Sequence, residues 1–157
     1  KRQDAVARLL PGAEEFVARE LHLSSTDSRR LHDAVGWEPP DGVVTFYVGK
    51  RQNQANGALV FMRIDSQHGP IELAVGYDTR GAIRGVEVTK ATVEMKPWVL
   101  EALRAGLTES YRGKMTDQAP SGAEKVKPHV GAMPGYMAEL IDKGVMHANA
   151  AYRLFYR

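Results

Sequence analysis

The chain has 157 residues, 43% of them hydrophobic and 25% charged, an ordinary globular composition for one domain long enough to bury a core. Its formal charge is only +2, and its basic residues fall in small groups such as Arg29-Arg30 and Lys50-Arg51, which argues against a nucleic-acid binder. The absence of cysteine excludes disulfides, thiolate metal sites and cysteine nucleophiles, and no run reaches the roughly 18 apolar residues that a membrane-spanning helix needs.

In chain order, Val6, Leu9 and Leu10 share one side of a short amphipathic helix ended by Pro11-Gly12. No signal-peptide pattern stands at Lys1. Phe16, Val17, Leu21 and Leu23 predict an extended segment. Ser24-Ser25-Thr26-Asp27, a hydroxyl with an acid three residues on, predicts a helix over 25–35 stopped by Gly36. After the rigid turn Pro39-Pro40-Asp41-Gly42, the β-branched and aromatic run Val43–Val48 predicts a buried strand. Turn residues over 52–57 lead into a second strand, Ala58–Ile64.

The stretch from Gly69 to Thr89 is the organising element. Ile71, Leu73 and Val75, then Ile83, Val86 and Val88, flank the turn Asp78-Thr79-Arg80-Gly81, the pattern of a β-hairpin. Pro97 opens a predicted helix in which Leu100, Leu103, Leu107 and Tyr111 form one stripe, closed by Gly113. A loop follows over 115–132. A last helix is expected from Pro134 to the end, interrupted at Gly144, with Met137, Leu140, Ile141, Val145, Ala148, Tyr152 and Phe155 at helical spacing. Together these predict a single α+β domain over 1–157: an antiparallel sheet of four to five strands with helices packed on one side. N-terminal helices and strands occupy 1–68 and the core unit 69–157.

Gly69-Pro70-Ile71-Glu72-Leu73-x-Val75-Gly76-Tyr77-Asp78, the strand Ile83–Val88, a helix ending near Gly113-Lys114 and the later Ser121-Gly122-Ala123 together resemble the FMN-binding domain family over residues 69 to 145, about half the chain. That family includes flavin-carrying subunits of Rnf-type and sodium-pumping NADH:quinone reductase complexes. The resemblance implies a periplasmic or otherwise extracytoplasmic electron-transfer module, partnered by a redox protein or a membrane-bound complex. In the family a Ser/Thr-Gly-Ala-Thr segment carries FMN on its last Thr through a phosphoester. Here Glu124 holds that position, and a carboxylate cannot replace the hydroxyl in that bond.

The expectation is therefore noncovalent FMN, its phosphate near Ser121, Gly122, Ala123 and Glu124 with Lys125 or Lys127, and its ring against Tyr77, Met95 or Trp98. Glu94 stands where the family often places a polar residue facing the flavin, and it equally suits the start of the next helix. Two alternatives stay open: a flavin-free binding or assembly domain of the same fold, and a metal or haem carrier using His129, Met133, Met137, Met146 and His147. Trp98 and the C-terminal Tyr152, Phe155 and Tyr156 are read either as core or as a partner surface.

Overall fold

Five strands pair in chain order into one antiparallel meander: β1 (Glu15–His22), β2 (Val43–Arg51), β3 (Gln54–Ile64), β4 (Ile71–Tyr77) and β5 (Ile83–Lys90). The computed structural model describes residues 1–157. Short turns join β2 to β3 and β4 to β5. Asp78 Oδ1 holds the second of these by accepting from the N–H groups of Arg80 (2.8 Å) and Ala82 (3.1 Å), while Gly81 takes the left-handed backbone (φ 85).

Period-two alternation sends Val44, Phe46, Val60, Met62, Leu73 and Val75 to one face, where they form the main core. Covering that face is α5 (Ala132–Phe155), flanked by α3 (Lys96–Arg104) and α4 (Gly122–Val126); α2 (Ser25–Val35) packs against α5. Gly144 does not interrupt α5. A Cβ there would stand 2.5 Å from Leu73 Cδ1 and 3.1 Å from Ile64 Cγ1, so the residue lets the helix lie directly on β3 and β4. The C-terminal aromatics are largely core: Tyr152 is buried and Phe155 stacks on Phe46 at 4.5 Å.

The α+β architecture and the antiparallel sheet are as the pattern indicates; besides the unbroken α5 and a β3 that begins at Gln54 rather than Ala58, three elements differ. First, α1 (Arg2–Leu9) packs on the opposite face, where Ala5, Leu9 and Leu10 bury Leu59 and Ala74. Leu9 lies over Gly76 and Gly85, which are paired across β4 and β5; Cβ atoms there would come within 2.8 and 2.7 Å of it. Arg8 adds a two-pronged ion pair to Glu87 (2.6–3.0 Å), and Arg2 pairs with Glu72. Second, the predicted helix from Pro97 to Gly113 ends at Arg104, because Gly106 turns left-handed (φ 95); a 3-10 turn over Thr108–Tyr111 follows. The stripe is thereby divided: Leu107 and Tyr111 are buried beyond the break, while Leu100 is 47% exposed and Val99 and Ala102 are the buried residues of α3. Third, the predicted loop over 115–132 contains α4 and a 3-10 turn, Lys127–His129.

Candidate functional site

The Ser-Gly-Ala segment is the N-terminal turn of α4, with Ser121 as its N-cap. The Ser121 side chain does not cap it. Asp142, projecting from α5, does: its Oδ2 accepts from Ala123 N–H at 3.0 Å, and its Oδ1 accepts from the buried Tyr111 hydroxyl. Burial pushes the Asp142 carboxyl up, opposed by the Tyr111 hydroxyl and by the backbone N–H groups of Ala123 and Gly122. The Tyr111 hydroxyl is held well above its ordinary value by burial first and by the adjacent carboxylate second. Gly122 is wedged in place, since a Cβ there would fall 2.5 Å from Ser110 Oγ and 2.8 Å from Leu107 Cδ1.

This bend therefore already holds an anion, and the anion is its own. The space beside it, bordered by Ile83, Tyr111, Ser121 and Asn149, is only about 10 Å³, whereas small-molecule pockets run to about 300–1,000 Å³. A flavin phosphate would have to displace the Asp142 carboxylate, and like charges in so small a space repel. As they stand, the bend's residues do not fit the group. Of the cations expected to assist, Lys127 Nζ binds Glu139 at 2.9 Å, and Lys125 is exposed without an ion-pair partner. The Glu124 side chain is exposed.

The residues expected to cradle a ring are not brought together. Tyr77 ends β4, fully buried, its hydroxyl donating to Asn149 Oδ1 at 2.8 Å and its ring 4.3 Å from that of Tyr152. Burial raises its hydroxyl well above the ordinary range. Trp98 lies at the other end of the strand, beside His68, which precedes β4; seven residues of strand separate the two ends by about 20 Å. Met95 is completely buried in the core.

Glu94 and Trp98 do meet, through a residue that sequence reasoning passed over. His68 Nδ1 lies 2.8 Å from Glu94 Oε1, and its ring stands edge-on to Trp98 (5.3 Å) and Tyr136 (6.4 Å). His68 and Tyr136, with Gln67 and Met133, border an open cleft of about 550 Å³ near the start of α5. No local motif marks His68. The only signal was its place just before Gly69-Pro70, where a loop residue is free to face a neighbouring element.

The methionines and histidines do not converge. Met137 is in the core, His129 is exposed, and His147 is stacked at 5.0 Å on Trp37 with its Nδ1 lacking a hydrogen-bond partner. No group of three His, Asp or Glu side chains is placed to hold a metal ion. Burial, with a smaller effect from Lys143, lowers the His147 pKa to about 4. No helix is long and apolar enough to cross a membrane. Compared with known proteins, the sequence matches no protein-family model and no curated protein.

Proposed function

We propose that this chain is a flavin-free binding module with an architecture resembling the FMN-binding domain, serving the assembly of an extracytoplasmic electron-transfer system. The observation that carries the reading is the occupation of the Ser-Gly-Ala bend by Asp142: its Ala123 N–H is committed to an internal carboxylate. Polar groups satisfied within the protein stabilise the fold and offer nothing to a ligand. On this reading the bend, a ligand cradle in the family it resembles, locks α4 to α5. The compartment and the redox or membrane-bound partner follow from the resemblance alone.

A second reading is favoured by the aromatic cleft. Noncovalent FMN would set its ring against His68, Met133 and Tyr136, with Trp98 and Glu94 holding His68 in place, and away from the Ser-Gly-Ala bend. The flavin would supply the electron chemistry, and these residues would bind and orient the ring. A visible absorption spectrum of the protein as isolated, followed by titration with FMN, separates the two. The flavin-free reading expects a colourless protein that leaves FMN fluorescence unchanged. Flavin bands released by acid, or saturable quenching lost in Trp98→Ala, would establish the second reading in its place.

A further inference from the structure

The sheet has two edges, and they are built differently. Along β1, the exposed charged side chains of Glu15, Arg19 and Glu20 line a strand that no helix recesses, an arrangement that discourages pairing with another chain. Along β5, the 3-10 turn over Thr108–Tyr111 packs against the start of the strand, and Ile83 exchanges backbone hydrogen bonds with Lys114 and Gly113, both at 2.8 Å. From Glu87 to Lys90 the backbone groups of the strand bond to β4 alone, with a bulge at Thr89. The one acid among them, Glu87, is already neutralised by Arg8.

This free edge is the floor of a groove of about 610 Å³ running between α1 on one face of the sheet and α3 on the other. The α3 wall is apolar, made by Val99, Leu100 and Leu103, with Leu100 47% exposed. The α1 wall and the strand end are charged, with three cations (Lys1, Arg8, Lys90) against two carboxylates (Asp4, Glu87), and Lys96 adds a fourth cation at the start of α3. Deepening the flavin-free reading on which it rests, we propose that this groove binds an extended peptide segment of a partner protein, added as a sixth antiparallel or parallel strand on β5. Successive side chains of a strand point to opposite faces. The segment that fits therefore alternates apolar residues, facing Val99, Leu100 and Leu103 of α3, with acidic residues, facing Lys1 and Lys90 on the α1 side, and Lys96 stands at the groove's end.

A second copy of this chain fits less well. Its own β5 edge is recessed between the same two helices, so the walls would meet before the backbones could pair. Antiparallel self-pairing centred on Glu87 would also set Glu87 against Glu87 and Arg84 against Lys90.

The test uses the full chain and a fluorescein-labelled, end-capped octapeptide of alternating Val and Glu, read by anisotropy and by amide hydrogen exchange. Saturable binding is expected, with slowed exchange over residues 87–90. Methylating alternate peptide nitrogens, which removes backbone donors while keeping every side chain, should weaken binding by about tenfold or more. Leu100→Asp, a change at an exposed position, and the pair Lys90→Glu and Lys96→Glu should each weaken it severalfold. No saturable binding, or binding indifferent to both N-methylation and Leu100→Asp, overturns the proposal; the latter outcome means adsorption on charge. Concentration-dependent self-association that the peptide cannot displace assigns the edge to a second copy and overturns it as well. Flavin bands in the same preparation would remove the flavin-free reading while leaving a peptide result standing. A colourless protein that ignores the peptide would remove only the groove.

Discussion

Replacing Asp142 by alanine is the sharpest perturbation of the bend. It leaves the Tyr111 hydroxyl, on a residue only 1% exposed, and the Ala123 N–H, on a residue 6% exposed, without their acceptors. A buried donor left unpaired costs about 1–3 kcal/mol, so the two together are expected to cost about 3 kcal/mol, a large share of a domain's stability of about 5–15 kcal/mol. Asp142→Asn should cost only about 1 kcal/mol. Its amide oxygen still accepts from Ala123, and its nitrogen can donate to the Tyr111 oxygen. Urea unfolding measures this: with a slope of about 2 kcal/mol per molar, Asp142→Ala lowers the midpoint by about 1.5 M. Combining it with Tyr111→Phe should recover about 1–2 kcal/mol of the summed loss, because the orphaned hydroxyl is gone. A loss below about 0.5 kcal/mol for Asp142→Ala, or strict additivity with Tyr111→Phe, would refute the claim that this carboxylate locks the bend.

Gly76→Ala places a methyl 2.8 Å from Leu9 Cβ and should loosen α1 at a cost of about 2 kcal/mol, seen as a lower urea midpoint and faster proteolysis near residue 10. Gly144→Ala gains about 1 kcal/mol of helix propensity but crowds Leu73 at 2.5 Å, so a net loss of about 1 kcal/mol is expected; net stabilisation would mean that Leu73 yields freely. His147 has its pKa lowered from 6.5 to about 4 by burial, so between those values the unfolded chain binds a proton that the folded chain does not. Its contribution is fully present above about pH 6.5 and is lost as pH falls toward 4; allowing for screening we expect about 2 kcal/mol. His147→Phe, which keeps the stack on Trp37, should remove that part of the acid sensitivity in unfolding midpoints compared at pH 7 and pH 5, and an unchanged difference would show that His147 is not its source.

Local grammar made most of the fold legible. Ser24 caps α2 by accepting from Asp27 N–H at 3.1 Å, and Gly36 closes the helix in the left-handed region, both as their residue types indicate. Alternation set the hairpin and its turn. What failed did so where tertiary packing overrides local pattern. Leu100, Leu103, Leu107 and Tyr111 keep helical spacing across Gly106, yet the left-handed backbone there redirects the last two into the core. The side on which α1 packs depends on Gly76 and Gly85 facing each other across two strands, a pairing that spacing alone does not announce.

The candidate site was less legible than the fold, because its decisive residues lie far apart in sequence. Asp142 reaches Ala123 from 19 residues away and Tyr111 from 31, and nothing near the Ser-Gly-Ala segment signals that its donors are spent. Glu94 and Trp98 were recognisable as chemistry-bearing, but the residue that joins them, His68, is 26 positions before Glu94. Tyr77 and Met95, whose residue types suit a flavin, are spent on the core.

The most direct measurement is an amide ¹H–¹⁵N spectrum of the unmodified protein recorded with increasing FMN. Ser121, Gly122, Ala123 and Glu124 are expected not to move at any concentration, because Asp142 already fills the bend. Saturable shifts at Gly122 and Ala123, with loss of the Tyr111–Asp142 contact, would contradict this.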